Sequence, residues 1–181
     1  MPVETPARES KSNGAMEVRV KSWQAQFRTM LFDLQNCVQA VIPLGNRIIS
    51  WLVKWAATVL NKYKLDTAGR TASQRVTGGG HKKPIAKFGE HIMWMPNGKR
   101  DPGMKAESNM HDGVFLGLRN LSTEAIISTR DGIVYARTIR RKPEDERWSK
   151  DLVMGVKQSF DDSLGGHEPT VAGGGSGIWA W

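Results

Sequence analysis

The sequence predicts an α+β protein in which two helices precede a small antiparallel β-barrel, with disordered segments at both termini. Three observations lead to this fold class. Apolar residues recur at helical spacing between residues 12 and 38, and a second, almost uniformly apolar stretch follows at 47–63. After Pro84 the chain changes to short apolar runs separated by turns, which is typical of strands. At 181 residues the chain has room for one ordinary domain or two small ones.

The first helix is predicted to run from Ser12 to about Asn36. Its apolar positions follow one another at intervals of three and four: Met16, Val20, Trp23, Phe27, Met30 or Leu31, Leu34 and Val38. A polar stripe runs beside them, made of Glu17, Lys21, Gln24 and Arg28. Glu17 has two interpretations, either a first-turn acid paired with Lys21 or a carboxylate presented to a metal or phosphate at a helix start. Taken alone, the helix favours the first interpretation.

The second helix, residues 47–63, follows a turn at Pro43 and Gly45. It is apolar on nearly every side, which predicts burial on several faces. Because the first helix alone cannot cover it, the sequence predicts that its remaining cover is missing or comes from a partner. The apolar segment is shorter than the ~20 residues that span a bilayer and contains Lys54, so we expect a buried helix and no membrane anchor.

The barrel is predicted over residues 85–148, after a linker at 78–84 that contains three consecutive glycines. Strands are expected at 88–95, 113–118, 125–129 and 133–139, with Asp131-Gly132 as a hairpin turn between the last two. Residues 144–158 have room for one or two helical turns. Residues 1–11 are predicted to be a disordered leader, and residues 149–181 a flexible tail.

The composition points to an anionic partner. The formal net charge is +8 and the sequence pI is about 9.8, which favours nucleic acid first and an acidic membrane surface second. The single cysteine, Cys37, excludes an internal disulfide and a cysteine-based zinc site, and fits a reducing compartment. The four histidines are scattered without the spacing of metal ligands. No signal peptide is visible, so we expect a nuclear or cytoplasmic protein that is not secreted.

Five motifs occur in an order that matches a known arrangement. Residues 13–17, Asn-Gly-Ala-Met-Glu, are similar to the Asn-Gly-x-x-Glu that carries the third acid of the integrase core in copia-type retrotransposon Pol polyproteins. SWLVKWAATVLNKY and GRTAS resemble the closing helices of that core. FGEHIMW, DGVFLGL and TEAIISTRDGIVYARTIRR resemble the SH3-like barrel that follows it. The resemblance covers residues 11–147, which is most of the chain.

The resemblance implies that the two helices are the end of an RNase H-like catalytic core. In that family two aspartates and a glutamate hold two divalent ions, Mg²⁺ in the intact enzyme, for phosphoryl transfer. Glu17 would be the third acid and a metal ligand only in a complete core. The resemblance also implies that Lys21, Gln24 and Arg28 face DNA. Charge placement adds the end of the last strand to the predicted nucleic-acid contacts: Arg137, Arg140, Arg141 and Lys142.

This chain departs from the family at the catalytic acids, because it carries neither aspartate of the triad. The next acid on the first helix, Asp33, is sixteen positions from Glu17, or about 24 Å along a helix, whereas paired metal ions lie roughly 4 Å apart. We therefore expect no metal to be bound by the chain alone and no complete catalytic site. Ser73 also stands where the family usually has an aromatic residue.

Two functions remain open from the sequence. The favoured one is a fragment of a retrotransposon integrase that binds nucleic acid, most readily DNA, in connection with DNA integration. Under this function we expect the full chain to form homo-oligomers through exposed apolar helices. A fragment that starts near Lys83 is expected to be monomeric. The alternative is a stand-alone SH3-like protein-interaction module with dimerising helices. Its peptide groove would have to be built from Phe88, Trp94, Phe115 and Tyr135, most of which are predicted to be core residues.

Overall fold

The computed structural model describes residues 10–80, 84–97, 109–119, 122 and 124–165. The helices in these ranges are α1 (Ser10–Val38), α2 (Ile48–Tyr63), α3 (Ala72–Thr77), α4 (Lys150–Met154) and α5 (Phe160–Gly165), with a 3₁₀ turn at Glu144–Glu146. The strands are β1 (His91–Met95), β2 (His111–Leu118), β3 (Ala125–Ser128), β4 (Ile133–Ala136) and β5 (Thr138–Arg141). The mixed helix-and-sheet class is confirmed. Among the described residues, no helix is long and apolar enough to cross a membrane.

The two predicted helices are present, and local sequence explains how the helical segments begin. The Asn46 side chain accepts a hydrogen bond from the backbone N–H of Ile48 (3.0 Å) at the start of α2. At the start of α3, the Thr71 hydroxyl accepts from the N–H of Gln74 (3.1 Å), and the Gln74 side chain accepts from the N–H of Thr71 (2.8 Å). This reciprocal pair is a capping box, which satisfies backbone donors that a helix start leaves free.

The five strands form one antiparallel sheet in the order β4-β3-β2-β1-β5. The single return strand predicted at 133–139 is wrong, because it is divided at Arg137 into β4 and β5, which lie on opposite edges of the sheet. The Cα atoms of Ala136 and Thr138 can be at most about 7.6 Å apart, whereas the edges of a flat five-stranded sheet lie about 19 Å apart. The sheet must therefore curl strongly. It remains open, since no pairing joins β4 to β5 in the part of the chain that the structure describes.

The helices and the sheet share one hydrophobic core. The Trp55 ring of α2 packs edge-on against Phe115 of β2, with ring centroids 5.9 Å apart. Gly117 lies beneath the same ring, where an added Cβ would approach it to 2.7 Å, and its φ of 135° is also one that favours glycine. The prediction that cover for α2 is missing or comes from a partner is therefore wrong. The chain's own sheet covers it.

The segment after residue 148 also belongs to this core. Val153 of α4 is fully buried, and the Trp51 indole N–H donates to the carbonyl of Gln158 (2.8 Å). Phe160 of α5 lies edge-on to Trp51, with centroids 5.3 Å apart. The interpretation of 149–181 as a flexible tail therefore does not describe residues 149–163. Residues 166–181, like the leader at 1–9, lie outside the described residues.

The N-terminal half of α1 extends beyond the core. With 29 residues α1 is about 43 Å long, whereas the 16 residues of α2 span about 24 Å. Leu34 and Val38 are buried near the C-terminal end of α1, but residues 16–21 are all exposed, including Met16 and Val20. The apolar stripe predicted along α1 is thus buried over only part of its length. Self-association through its exposed part stays a prediction.

Candidate nucleic-acid interface

Arg141, one of the four predicted cations around β5, is engaged by a buried carboxylate, although its own side chain is partly exposed. Glu90, which precedes β1, has no solvent-exposed surface. Arg141 donates to both of its carboxylate oxygens, from Nε at 2.6 Å and from Nη2 at 3.0 Å. The backbone N–H of Lys87 adds a third bond at 2.8 Å, and Arg147 lies 3.8 Å away. Glu90 raises the pKa of Arg141, chiefly through the side-chain hydrogen bonds.

Two more of these cations also have carboxylate partners. The Lys142 ammonium lies 2.8 Å from Asp112 and 3.6 Å from Glu146, and its side chain is largely buried. Arg137 is 3.3 Å from Glu124. Of the four, Arg140 alone has no described carboxylate within ion-pair distance. Three of the four cations predicted to contact nucleic acid at the end of β5 are therefore already paired with carboxylates.

A second polar cluster lies where β1 and β2 pair. His91 Nε2 is 3.2 Å from the Asp112 carboxylate, and its Nδ1 is 3.2 Å from the Glu146 carbonyl. The hydrogen bond from Lys142 lowers the pKa of Asp112, and the charges of Lys142 and His91 lower it further. The cluster joins β1, β2 and the segment after β5, so it serves to hold these three elements together.

Glu17 does not occupy the start of a helix. Because α1 begins at Ser10, Glu17 lies about two turns inside it, and the first turn contains no acid. No ion pair joins it to Lys21 in the structure. The position at a helix start, which both interpretations assumed for Glu17, is therefore wrong. Glu17, Lys21, Gln24 and Arg28 are all exposed, as one stripe on the surface of α1 requires.

A magnesium site at Glu17 is not supported by its surroundings. Mg²⁺ takes several oxygen ligands in octahedral geometry, and one exposed carboxylate does not provide them. Among the described residues, no group of three or more His, Cys, Asp and Glu side chains is placed to hold a metal ion. The residues present do not fit the metal pair that the resemblance implies, so no chemical step is derived through it.

The positive charge of the chain is concentrated in its helical part. Residues 10–80 hold ten lysines and arginines and only three acids: Glu17, Asp33 and Asp66. Two of these acids are already paired, Asp66 with Arg75 and Asp33 with Lys87. The described residues from 84 onward hold ten lysines and arginines and ten acids. Several helical cations have no described carboxylate partner: Arg19, Lys21, Arg28, Lys62 and Lys64.

A groove of about 1340 Å³ runs between the sheet and the C-terminal segment. One wall carries Trp94, Pro96, His111 and Tyr135, and the Trp94 and His111 rings lie 5.3 Å apart. The charged residues on its lining are mostly acids, since Asp131, Asp151 and Asp162 accompany Arg130 and Lys157, while Asp112 is paired with Lys142. Phe88 and Phe115 are buried, in agreement with the expectation that most of these aromatic residues belong to the core. Such a lining is unfavourable to phosphate.

The sequence reasoning missed Glu90 as the residue that organises the β5 end. One signal was available, since Glu90 precedes an alternating strand and shares a face with Ile92, which is fully buried. An acid at such a position needs a cationic partner. Its partner, Arg141, is 51 positions away, and only the pairing of β1 with β5 brings the two together.

Comparisons of the chain with protein-family models, with curated proteins and with solved structures found no match.

Proposed function

We propose that this chain is a nucleic-acid-binding segment of the copia-type integrase kind, which contacts the phosphate backbone through its helices without sequence preference. DNA is the nucleic acid that this function would use. The binding surface includes Lys21, Gln24 and Arg28 on the exposed stripe of α1. The basic run at β5 contributes less, because three of its four cations, Arg137, Arg141 and Lys142, are engaged with carboxylates.

The excess of unpaired positive charge on residues 10–80 carries this proposal. Phosphate contacts by Lys and Arg release condensed counterions, which supplies most of the affinity in sequence-independent binding. A cation already bound to a carboxylate must first lose that partner, so an unpaired one contributes more. Lys21 and Arg28 are exposed and unpaired on one face, and Gln24 between them can hydrogen-bond a phosphate oxygen.

The order of elements supports the integrase part of the proposal. Two long helices precede a curled five-stranded antiparallel sheet in which consecutive strands pair from β1 to β4 and β5 returns to β1. This arrangement is compatible with the SH3-like barrel that the motifs resemble, and the helices with the end of an RNase H-like core. The sheet then acts as the support that positions the basic helices.

The salt dependence of binding tests the proposed function. With about four phosphate contacts, the association constant for a duplex should fall roughly 100-fold between 50 and 200 mM salt. Fluorescence anisotropy of a labelled 20-base-pair duplex, titrated with the full chain at several salt concentrations, measures this slope. Duplexes of unrelated sequence should give the same affinity. Absence of binding at 50 mM salt would contradict the proposal.

Catalysis by the chain alone is not expected, because the next acid on the first helix, Asp33, lies about 24 Å from Glu17, too far to share a metal pair with it. Purified chain incubated with element-end DNA and Mg²⁺ or Mn²⁺ should therefore give no cleaved or joined product. A metal-dependent product that disappears in Glu17→Gln would show that this prediction is wrong.

The groove favours a second candidate function, recognition of a protein segment. Partly exposed Trp94, Pro96 and Tyr135 offer an apolar wall, and the acids of the lining suit a peptide with basic side chains. Selection of peptides from a random library against the full chain tests it. Basic peptides that bind the wild type and lose affinity in Trp94→Ala, but not in Lys21→Ala, would favour this function.

A further inference from the structure

A shallow groove of about 500 Å³ lies between the two long helices, outside the predicted stripe. Ser22 and Gln26 of α1 form one side, Tyr63 and Lys64 at the end of α2 form the other, and Ala25 and Leu60 contribute apolar surface. The groove lies at the end of the α1–α2 pair where positive charge is most concentrated. Lys21 adjoins Ser22 in sequence, and Lys62 lies two residues before Lys64.

Two polar groups converge on this groove. The Lys64 ammonium lies 3.3 Å from the Ser22 hydroxyl, and no described carboxylate is within ion-pair distance of it. The acid nearest to Lys64 in sequence is not available, since Asp66 is engaged by Arg75 and by the backbone N–H groups of Ala68 and Arg70. A hydroxyl beside an unpaired ammonium, in a groove without a free acid, is a suitable pair of donors for an anionic oxygen.

We infer that this groove binds one phosphate group of a nucleic-acid backbone, with the Lys64 ammonium and the Ser22 hydroxyl as its donors. This inference rests on the proposed function and adds a named contact to it. The donors recognise a phosphate oxygen and not a base, so the contact is the same for every sequence. It lies beside the stripe of Lys21, Gln24 and Arg28 and extends the basic surface from α1 onto the end of α2.

Lys64 also has a purely structural use, since a cation near the C-terminal end of a helix interacts favourably with the helix dipole. That use affects stability but not the number of counterions released on binding. The salt slope of binding therefore separates the two roles, because a lost phosphate contact flattens the slope by about 0.9.

The experiment compares Lys64→Ala and Ser22→Ala with Lys150→Ala, an exposed lysine of α4 in the sheet region. Anisotropy titrations of a 20-base-pair duplex at several salt concentrations give the slopes, and circular dichroism confirms that each variant is folded. Lys64→Ala should flatten the slope by about 0.9, Ser22→Ala should weaken binding without changing the slope, and Lys150→Ala should match the wild type. In ¹⁵N spectra of the wild type, the amides of Ser22 and Lys64 should shift on addition of the duplex.

A wild-type slope in folded Lys64→Ala, or unshifted amides at Ser22 and Lys64, would overturn the inference while the proposed function stood. If the wild-type chain itself shows no salt-sensitive binding, both fail together. Inorganic phosphate serves as a second probe. If phosphate shifts the same amides, by less than DNA does, the groove recognises the phosphate group itself.

Discussion

The helical region, residues 10–80, and the described part of the sheet region, from residue 84 onward, each contain ten lysines and arginines. The two regions use these cations differently. In the sheet region Arg141, Lys142 and Arg137 pair with Glu90, Asp112 and Glu124. In the helical region most cations have no acid to pair with. A basic run in a sequence therefore shows where cations lie, but it does not show whether they are free to bind a partner. The acids that neutralise it can be far away in sequence and close in the fold.

The same two regions are not independent in their packing. Trp55 and Leu34 of the helices contact Gly117 and Gly89 of the sheet region so closely that neither glycine has room for a Cβ. One core therefore stabilises the basic helices on one side and the sheet on the other.

Removing the helices should have the largest effect. A chain starting at Pro84 lacks Trp55 and Leu34 and exposes Phe115 and its neighbours to water, which favours aggregation. We expect light scattering to show aggregates and near-ultraviolet circular dichroism to show loss of fixed packing. The sequence alone predicted that such a fragment is monomeric, because it predicted a barrel that folds independently of the helices. A monomeric fragment with native near-ultraviolet signal would contradict the shared core.

The charge pairs of the sheet region come next. Arg141→Ala leaves the Glu90 carboxylate buried with only Arg147 nearby, and removing one partner of a buried pair typically costs about 3 kcal/mol or more. Arg140→Ala, a neighbouring exposed arginine without a described carboxylate partner, should change stability by less than about 0.5 kcal/mol. Urea unfolding followed by circular dichroism measures both. Equal stabilities of the two variants would show that the Glu90 pair is not important for the fold.

A smaller effect is expected at Asp112, through its dependence on pH. Lys142 and His91 lower the pKa of this carboxyl in the folded chain. The ion pair therefore stabilises the fold above the unfolded pKa of about 3.9, and this stabilisation is lost as the pH falls through the folded pKa. Asp112→Asn should be less stable than wild type at pH 6, and this difference should shrink as the pH is lowered below the unfolded pKa toward pH 2. Asp131→Asn, in the β3–β4 turn, is the control. A destabilisation by Asp112→Asn that is the same at both pH values would contradict this account.

Sequence periodicity predicted the two long helices, most strands and the Asp131-Gly132 turn, because each depends on residues within one element. It did not predict the break at Arg137, since residues 133–139 contain no proline or glycine that would divide the strand. That break follows from the pairing of β5 with β1, which is a long-range contact. The burial of Val153 was missed for the same reason.

The candidate site was predictable in part. The exposed stripe of Lys21, Gln24 and Arg28 follows from helical spacing alone, and the structure places all three on the surface. The pairing of Arg141 with Glu90 depends on strand order, which the sequence does not show. The sequence therefore did not indicate that this arginine is already engaged by a carboxylate. The Ser22–Lys64 groove joins residues 42 positions apart on two helices, and no local pattern indicates it.

The most direct test of the central claim compares two double variants in their salt dependence of DNA binding. Lys21→Ala with Arg28→Ala removes two unpaired cations of the helical region, and Arg119→Ala with Arg137→Ala removes two exposed arginines of the sheet region that pair with Glu124. The account predicts that the helical pair flattens the slope of log K against log salt by about 1.8, and the sheet pair by less than half of that. The reverse order, with the sheet pair producing the larger change, would contradict the claim that nucleic acid binds through the helices.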